Sequence, residues 1–206
     1  VYAGARKQED IDALNAIENV QAIELDVTIQ AQIDAAVATV KKGGRGLHGL
    51  INNAGVFIGG PLVDVDLEEF KWLMDVNVYG VYRMNQAFAP ILIESQGRIS
   101  TIGSISGFIS GARSGTYSMS KFAIEAYTDA LAAELAESGV KVSVIEPGGF
   151  KSKIREKVAM HMIGKTPGDT GDLTEQEQQL LAQMKERNAK LKEPDEVAEA
   201  TLHALF

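Results

Sequence analysis

The sequence predicts an α/β domain: a doubly wound parallel sheet with helices on both faces, in three layers α/β/α. Three observations carry that expectation. Short, apolar, β-prone runs alternate along the chain with longer stretches of helical period, the pattern that strand–helix–strand units write into a sequence. The strand-like runs end on glycine or small polar residues, and open parallel sheets bind ligands beyond the carboxyl ends of their strands. With 206 residues and 45% hydrophobic content, the chain is long enough for one domain with a sizeable core.

The elements follow in order. Residues 1–5 read as a strand end leading to Arg6 and Lys7, residues 8–20 contain a helix, and residues 21–25 form a short strand running into Asp26-Val27-Thr28. A helix over residues 29–41 has Thr28 as its expected cap. After the Gly43-Gly44-Arg45-Gly46 turn, residues 47–51 read as a buried strand ending at Asn52-Asn53-Ala54-Gly55. Two helices fit residues 67–75 and 78–93, and residues 98–102 are the next strand, with Ser104 just past its end. The helix carrying Tyr117 and Lys121 runs to about Ser138, with apolar Phe122, Ile124, Leu131 and Leu135. Residues 140–145 are the last clear strand, stopped by Pro147-Gly148-Gly149. The remainder is mostly helical, with a polar, lid-like stretch at 164–173 and a final helix opened by Pro194 and Asp195. No repeat or interdomain linker is visible.

Composition excludes several functions. A net charge of −8 argues against binding a polyanion over a broad surface, so nucleic acid is not an expected partner. There is no cysteine, hence no disulfide framework, which suits a reducing compartment; cytoplasm is the expected location. No apolar run approaches the ~18 residues that span a bilayer. His48, His161 and His203 are scattered without partners at metal-ligand spacing, so no metal is expected.

The chemistry is read from Tyr117, Lys121 and Ser104. A spacing of four puts the phenol and the ammonium on one helix face, about one turn apart. A cation there favours the phenolate of a group that otherwise titrates near ~10. A hydroxyl such as Ser104 can then hold a substrate oxygen while the tyrosine gives or takes its proton. Glu125, Asp129 and Glu134 on the same helix read as solvated charges, and Trp72 as helix-packing surface.

Taken together, Asn52-Asn53-Ala54-Gly55, Asn77, Ser104 and Tyr117-x-x-x-Lys121, in this order and spacing, resemble the single-domain, non-extended branch of the short-chain dehydrogenase/reductase family. The resemblance implies a Rossmann-like domain and hydride transfer between a nicotinamide cofactor and a carbonyl or secondary alcohol. It implies Tyr117 as general acid/base and Ser104 as the residue orienting the substrate oxygen. Lys121 would lower the tyrosine's pKa and hold the nicotinamide ribose, and Asn77 would hold a relay water. For the cofactor it implies Arg6, Asp26, Val27, Asn53, Ala54, Gly55, Tyr117, Lys121, Pro147, Gly148 and Ser152. Where the family's NAD-selecting acid would stand, the chain has Ala5 followed by Arg6, which suits a 2′-phosphate. NADP(H) is the expected cofactor, with NAD as the alternative. Ala123, Ala126, Ala130 and Ala133 make the Tyr117 helix slim enough for close packing against a partner helix, and the resemblance implies a homodimer or homotetramer.

The chain departs from the family in lacking the Gly-rich strand–turn–helix that cradles a pyrophosphate. Residues 1–206 are therefore expected to be an incomplete domain, missing the first and last strands, and an intact natural mass near 22.1 kDa would contradict this. Without the central first strand the sheet is expected to be split. Phe108, Ile109, Ile154, Met160 and Met162 point to an apolar substrate, with residues 107–115 and 151–173 around its pocket. Two other readings stay open: a nucleotide-sugar epimerase or dehydratase relative, and a cofactor-binding sensor without catalysis.

Overall fold

The computed structural model describes residues 1–152, 154, 160, 163, 171 and 173–206. Met162, His161 and nearly all of the lid-like stretch lie outside the described residues.

Among the described residues, five strands form two parallel sheets: β1 (Tyr2–Ala5) pairs with β2 (Gln21–Glu24), and β4 (Arg98–Ile102) lies between β3 (Gly49–Asn52) and β5 (Lys141–Ile145). Each is joined to the next by a helical crossover, as parallel pairing requires. The split falls where it was expected, between β1 and β3. A cavity of 330 Å³ separates them there, with Tyr2 and Gly4 on one side, Ile51 and Asn52 on the other, and Val81 and Met84 below.

Helices α1 (Gln8–Asn15) and α2 (Gln30–Gly43) flank β2, and α2 stops at Gly44, whose φ of 66° is the left-handed conformation that glycine adopts without a Cβ penalty. Thr28 is not the cap of α2. Its amide and hydroxyl both donate to Asp26 Oδ1, at 2.9 and 2.7 Å, and Ile29 occupies the cap position without a side-chain bond. The turn therefore serves Asp26 rather than the helix.

Helix α3 (Leu67–Met74) begins at Asp66, whose carboxylate accepts from the amides of Glu68 and Glu69 at 2.8 and 3.2 Å. The two helices expected over 67–93 are joined without a break. α3 runs through a π-helical turn (Asp75–Tyr79) into α4 (Gly80–Glu94). That wider turn carries Asn77, and such bulges gather at functional sites. Helix α5 (Gly115–Leu135) carries Tyr117 and Lys121, α6 (Glu175–Ala189) opens with a Thr174–Glu177 capping box, and α7 (Asp195–Leu205) packs on β4 and β5.

The main core joins Ile33, Ala36 and Val40 of α2 to Leu50, Ile99 and the α4 face Met84, Phe88, Ile91 and Leu92. The period-2 alternation of β3 turns Leu50 and Asn52 to this core, and Gly49 to α7, where Leu205 fills the space a Cβ would take. His48 Nε2 donates to the Leu205 carbonyl, 2.7 Å away, and the ring stacks on Phe206, a structural role. Met160 also proves to be packing, in a small cluster with Leu181, Ile163, Leu173 and Met184. Trp72 remains 48% exposed.

Candidate active site

Ser104, Tyr117 and Lys121 meet at the carboxyl edge of β4. The backbone ladder continues past the strand ends: Gly103 N–H donates to Ile145 O at 2.7 Å and Ile105 N–H to Pro147 O at 3.1 Å. Ser104 is therefore fixed beside Pro147 before any side chain is considered. Its Oγ caps a short 3-10 turn (Ile105–Gly107) by accepting from Ser106 N–H at 3.1 Å, and it contacts the Tyr117 hydroxyl.

Lys121 is 6% exposed, and its Nζ donates to Ile102 O at 2.7 Å while lying 5.7 Å from the Tyr117 ring centre. Burial lowers its pKa to about 8, with the Glu125 carboxylate pulling upward. The expected lowering of the tyrosine's pKa by Lys121 is not what the geometry produces. Burial raises the Tyr117 phenol above its ordinary value, and the opposing influence comes from Ser104. The lysine's amine is turned to the Ile102 carbonyl, so desolvation of the phenolate dominates.

Asn77, 2% exposed, clamps Val56 from both sides. Its Oδ1 accepts from Val56 N–H at 2.8 Å, while its Nδ2 donates to Val56 O at 2.9 Å and to Ser120 Oγ at 3.0 Å. The paired asparagines after β3 have different fates. Asn52 is buried and donates to Asn85 Oδ1 and Thr101 Oγ1, at 2.8 and 3.3 Å, whereas Asn53 faces the open edge.

Two hollows cross that edge. One, of 590 Å³, holds Ser104, Tyr117, Lys121, Pro147, Gly148 and Ser152; the other, of 620 Å³, holds Arg6, Asp26, Val27 and Ala54. Asn53 and Gly55 line both, so the hollows form one continuous trough. In the second, Arg6 lies 3.6 Å from Asp26 with 56% of its side chain exposed. Burial works to raise the Asp26 carboxyl, but the Thr28 hydroxyl and amide, then Arg6, outweigh it and bring the group below its ordinary value. Val27 is held by Gly80, where a Cβ would come within 2.6 Å of Val27 Cγ2. Arg83 ties the same loop to the π-helical turn, donating to Asp75 at 2.7 Å and to Val27 O at 3.4 Å.

This donor set fits a nicotinamide dinucleotide. The trough has cations at both ends, and Gly148 borders open space, with nothing within 4 Å of where a Cβ would be.

Two further sequence expectations change. Glu125 is not a solvated charge, since its Oε1 is closed off beneath Gly103 and Gly107. Phe108 and Ile109 are 53% and 64% exposed, and no residue of 107–115 is among the described lining of the trough end that holds Ser104 and Tyr117. Phe57, Ile105 and Met184 line it instead, beside Ile154, with the Phe57 ring 4.9 Å from that of Tyr117. The signal for Phe57 was available in its place two residues after Asn-Asn-Ala-Gly; that for Met184 was not, because it lies on α6, far along the chain from the other lining residues. Ser152 is exposed and donates its N–H to Asn188 Oδ1 at 3.2 Å. Among the described residues no cluster of three or more His, Asp or Glu could hold a metal, and no helix is long and apolar enough to cross a membrane.

Known proteins resemble the chain in sequence and fold. Residues 1–162 match the family described as short chain dehydrogenase. The chain is 40% identical over 158 residues to the NADPH-dependent 1-acyldihydroxyacetone phosphate reductase of Schizosaccharomyces pombe, covering 76% of this chain and 53% of that protein. It is 35% identical over 152 residues to the mitochondrial D-beta-hydroxybutyrate dehydrogenase of Rattus norvegicus, covering 72% and 43%. The chain thus spans about half the length of these curated relatives. Among solved structures, a short-chain dehydrogenase from Streptomyces avermitilis superposes with a TM-score of 0.76 at 27% identity, over 100% of this chain and 74% of that one. A Burkholderia cenocepacia short chain dehydrogenase in complex with NADP gives 0.69 at 31%, over 77% and 65%. Matching in profile, in sequence and in fold, the chain belongs to the short-chain dehydrogenase family of oxidoreductases.

Proposed function

We propose that the protein reduces the carbonyl of an apolar small molecule, or oxidises the corresponding secondary alcohol, with NADP(H). The observation that carries this reading is the single trough in which Ser104, Tyr117 and Lys121 lie at one end and Arg6 at the other. When bound, the cofactor supplies or accepts the hydride. The residues do the rest. Ser104, held by the Ser106 amide, orients the substrate oxygen, and Tyr117 delivers the proton to it. A phenol whose pKa is raised keeps that proton at neutral pH, which suits an acid in the reductive direction. Lys121, whose ammonium is turned to Ile102 O, would hold the nicotinamide ribose hydroxyls when the cofactor is bound. Asn77 holds the loop at Val56, and Oδ1 retains one lone pair for the relay water.

Arg6 supports NADP over NAD, because an exposed guanidinium can turn from Asp26 to a 2′-phosphate. Phe57, Ile105, Ile154 and Met184 support an apolar substrate. Exposed Met119, Phe122 and Tyr82 on α4 and α5 support a homodimer or homotetramer. A cytoplasmic location completes the reading.

The test is a panel of ketones and aldehydes assayed with NADPH and with NADH. Reduction of apolar ketones with preference for NADPH is expected. A cofactor retained through repeated turnovers with no net oxidation would instead establish the epimerase reading, and binding without any turnover the sensor.

A further inference from the structure

One charged cluster has no part in that mechanism. Glu125 stands one helical turn beyond Lys121 on α5, with its Oε1 shut off from solvent and without a donor. The oxygen lies so close beneath the β4–α5 connection that a Cβ at Gly103 or Gly107 would come within 2.8 or 2.7 Å of it. Glycine at both positions is what admits the carboxyl. The charged groups facing it are Glu146 from the loop after β5, Asp129 one turn further along α5, and Lys121 one turn back. Glu146 is within hydrogen-bonding reach, and two carboxyls bond each other only when one carries a proton.

We propose that Glu125 is a positioning residue for the reaction, whose proton, shared with Glu146, sets the charge state of Lys121. This rests on the assignment of Lys121 to the proton-transfer site. The two side chains close on consecutive residues: Lys121 donates to Ile102 O while Glu125 packs on Gly103, immediately before Ser104. A change of charge at Glu125 therefore acts on the lysine over one helical turn, with no bulk water at Oε1 to screen it. Burial, then Glu146 and Asp129, push the Glu125 carboxyl up to about 7. Below that pH it is neutral and Lys121 experiences burial without compensation; above it, the carboxylate helps the lysine keep its proton. Two carboxylates beside a lysine would otherwise be a poor arrangement, so the shared proton also accounts for the unpartnered oxygen.

The test is carbon-13 NMR titration of the protein labelled at glutamate carboxyls and lysine Cε, without cofactor. Glu125 should titrate near 7, and in Glu146→Gln its midpoint should fall. In Glu125→Gln the Lys121 midpoint should fall by about half a pH unit or more, with Glu125→Asp restoring most of it. The alkaline limb of the pH–turnover profile should move by the same amount. A Glu125 midpoint in the ordinary carboxylate range, or an unmoved Lys121 midpoint in folded Glu125→Gln, would overturn the proposal. Wild-type protein that turns over no ketone would count against the oxidoreductase reading alone, since the titrations need no turnover.

Discussion

The two ends of the trough are built differently. At the β4–α5 end, Lys121 and Asn77 are 6% and 2% exposed and each is bonded to main-chain atoms of a neighbouring element. At the β1–β2 end, Arg6 reaches Asp26 across 3.6 Å with more than half its surface in solvent. The buried end fixes its groups before any ligand arrives, as proton transfer needs, because a displacement of about 1 Å there costs about two orders of magnitude in rate. The exposed end holds a charge whose proposed task is recognition of the cofactor, and an exposed ion pair is worth little until a ligand replaces it.

If that contrast is right, substitutions at the two ends should fail in different ways. Tyr117→Phe should lower kcat about a thousandfold or more while NADPH binding, read by fluorescence, is largely kept; unchanged turnover would remove the tyrosine from its role. Asn77→Ala should lower kcat about a hundredfold with a small change in KM, since it releases Val56 rather than removing a reacting group. Arg6→Ala should raise KM for NADPH about tenfold, leave KM for NADH unchanged and leave kcat intact. A fall in kcat at Arg6 as deep as that at Tyr117 would break the comparison.

The smallest effects are in pH dependence, and the two ends have opposite signs. The folded pKa of Asp26 is lowered, so its stabilisation is present above the ordinary carboxylate value and is lost as pH falls through the folded one. The folded pKa of Glu125 is raised, so its contribution is full below 4.5 and is lost as pH rises through about 7. Urea unfolding should therefore show Asp26→Asn destabilised at pH 7 and converging on wild type as pH falls below the ordinary carboxylate range, with Glu125→Gln gaining on wild type between pH 4.5 and 7.

Much of the site was legible because its residues come from local signals. Asn52 to Gly55, Ser104 and Pro147 all follow apolar runs, and strand periodicity locates strand ends. The π-helical turn was not legible, because 67–93 carries two helical patterns out of phase and only the clamp on Val56 selects a widened turn over a break. Glu125 was misread for a related reason. Its spacing puts it on the helix face of Lys121, but whether that face meets water depends on Gly103, Gly107 and Glu146, none of them near it in sequence.

By itself the sequence determined the alternation of strands and helices, the edge at which polar residues gather, and the family. Those follow from period and spacing, which each segment carries alone. Tertiary structure decided the electrostatics. Lys121 turns to the Ile102 carbonyl, the Tyr117 phenol is raised rather than lowered, and Glu125 is shut beneath two glycines. Desolvation and hydrogen-bond direction depend on atoms brought together from distant parts of the chain, so no local pattern encodes them.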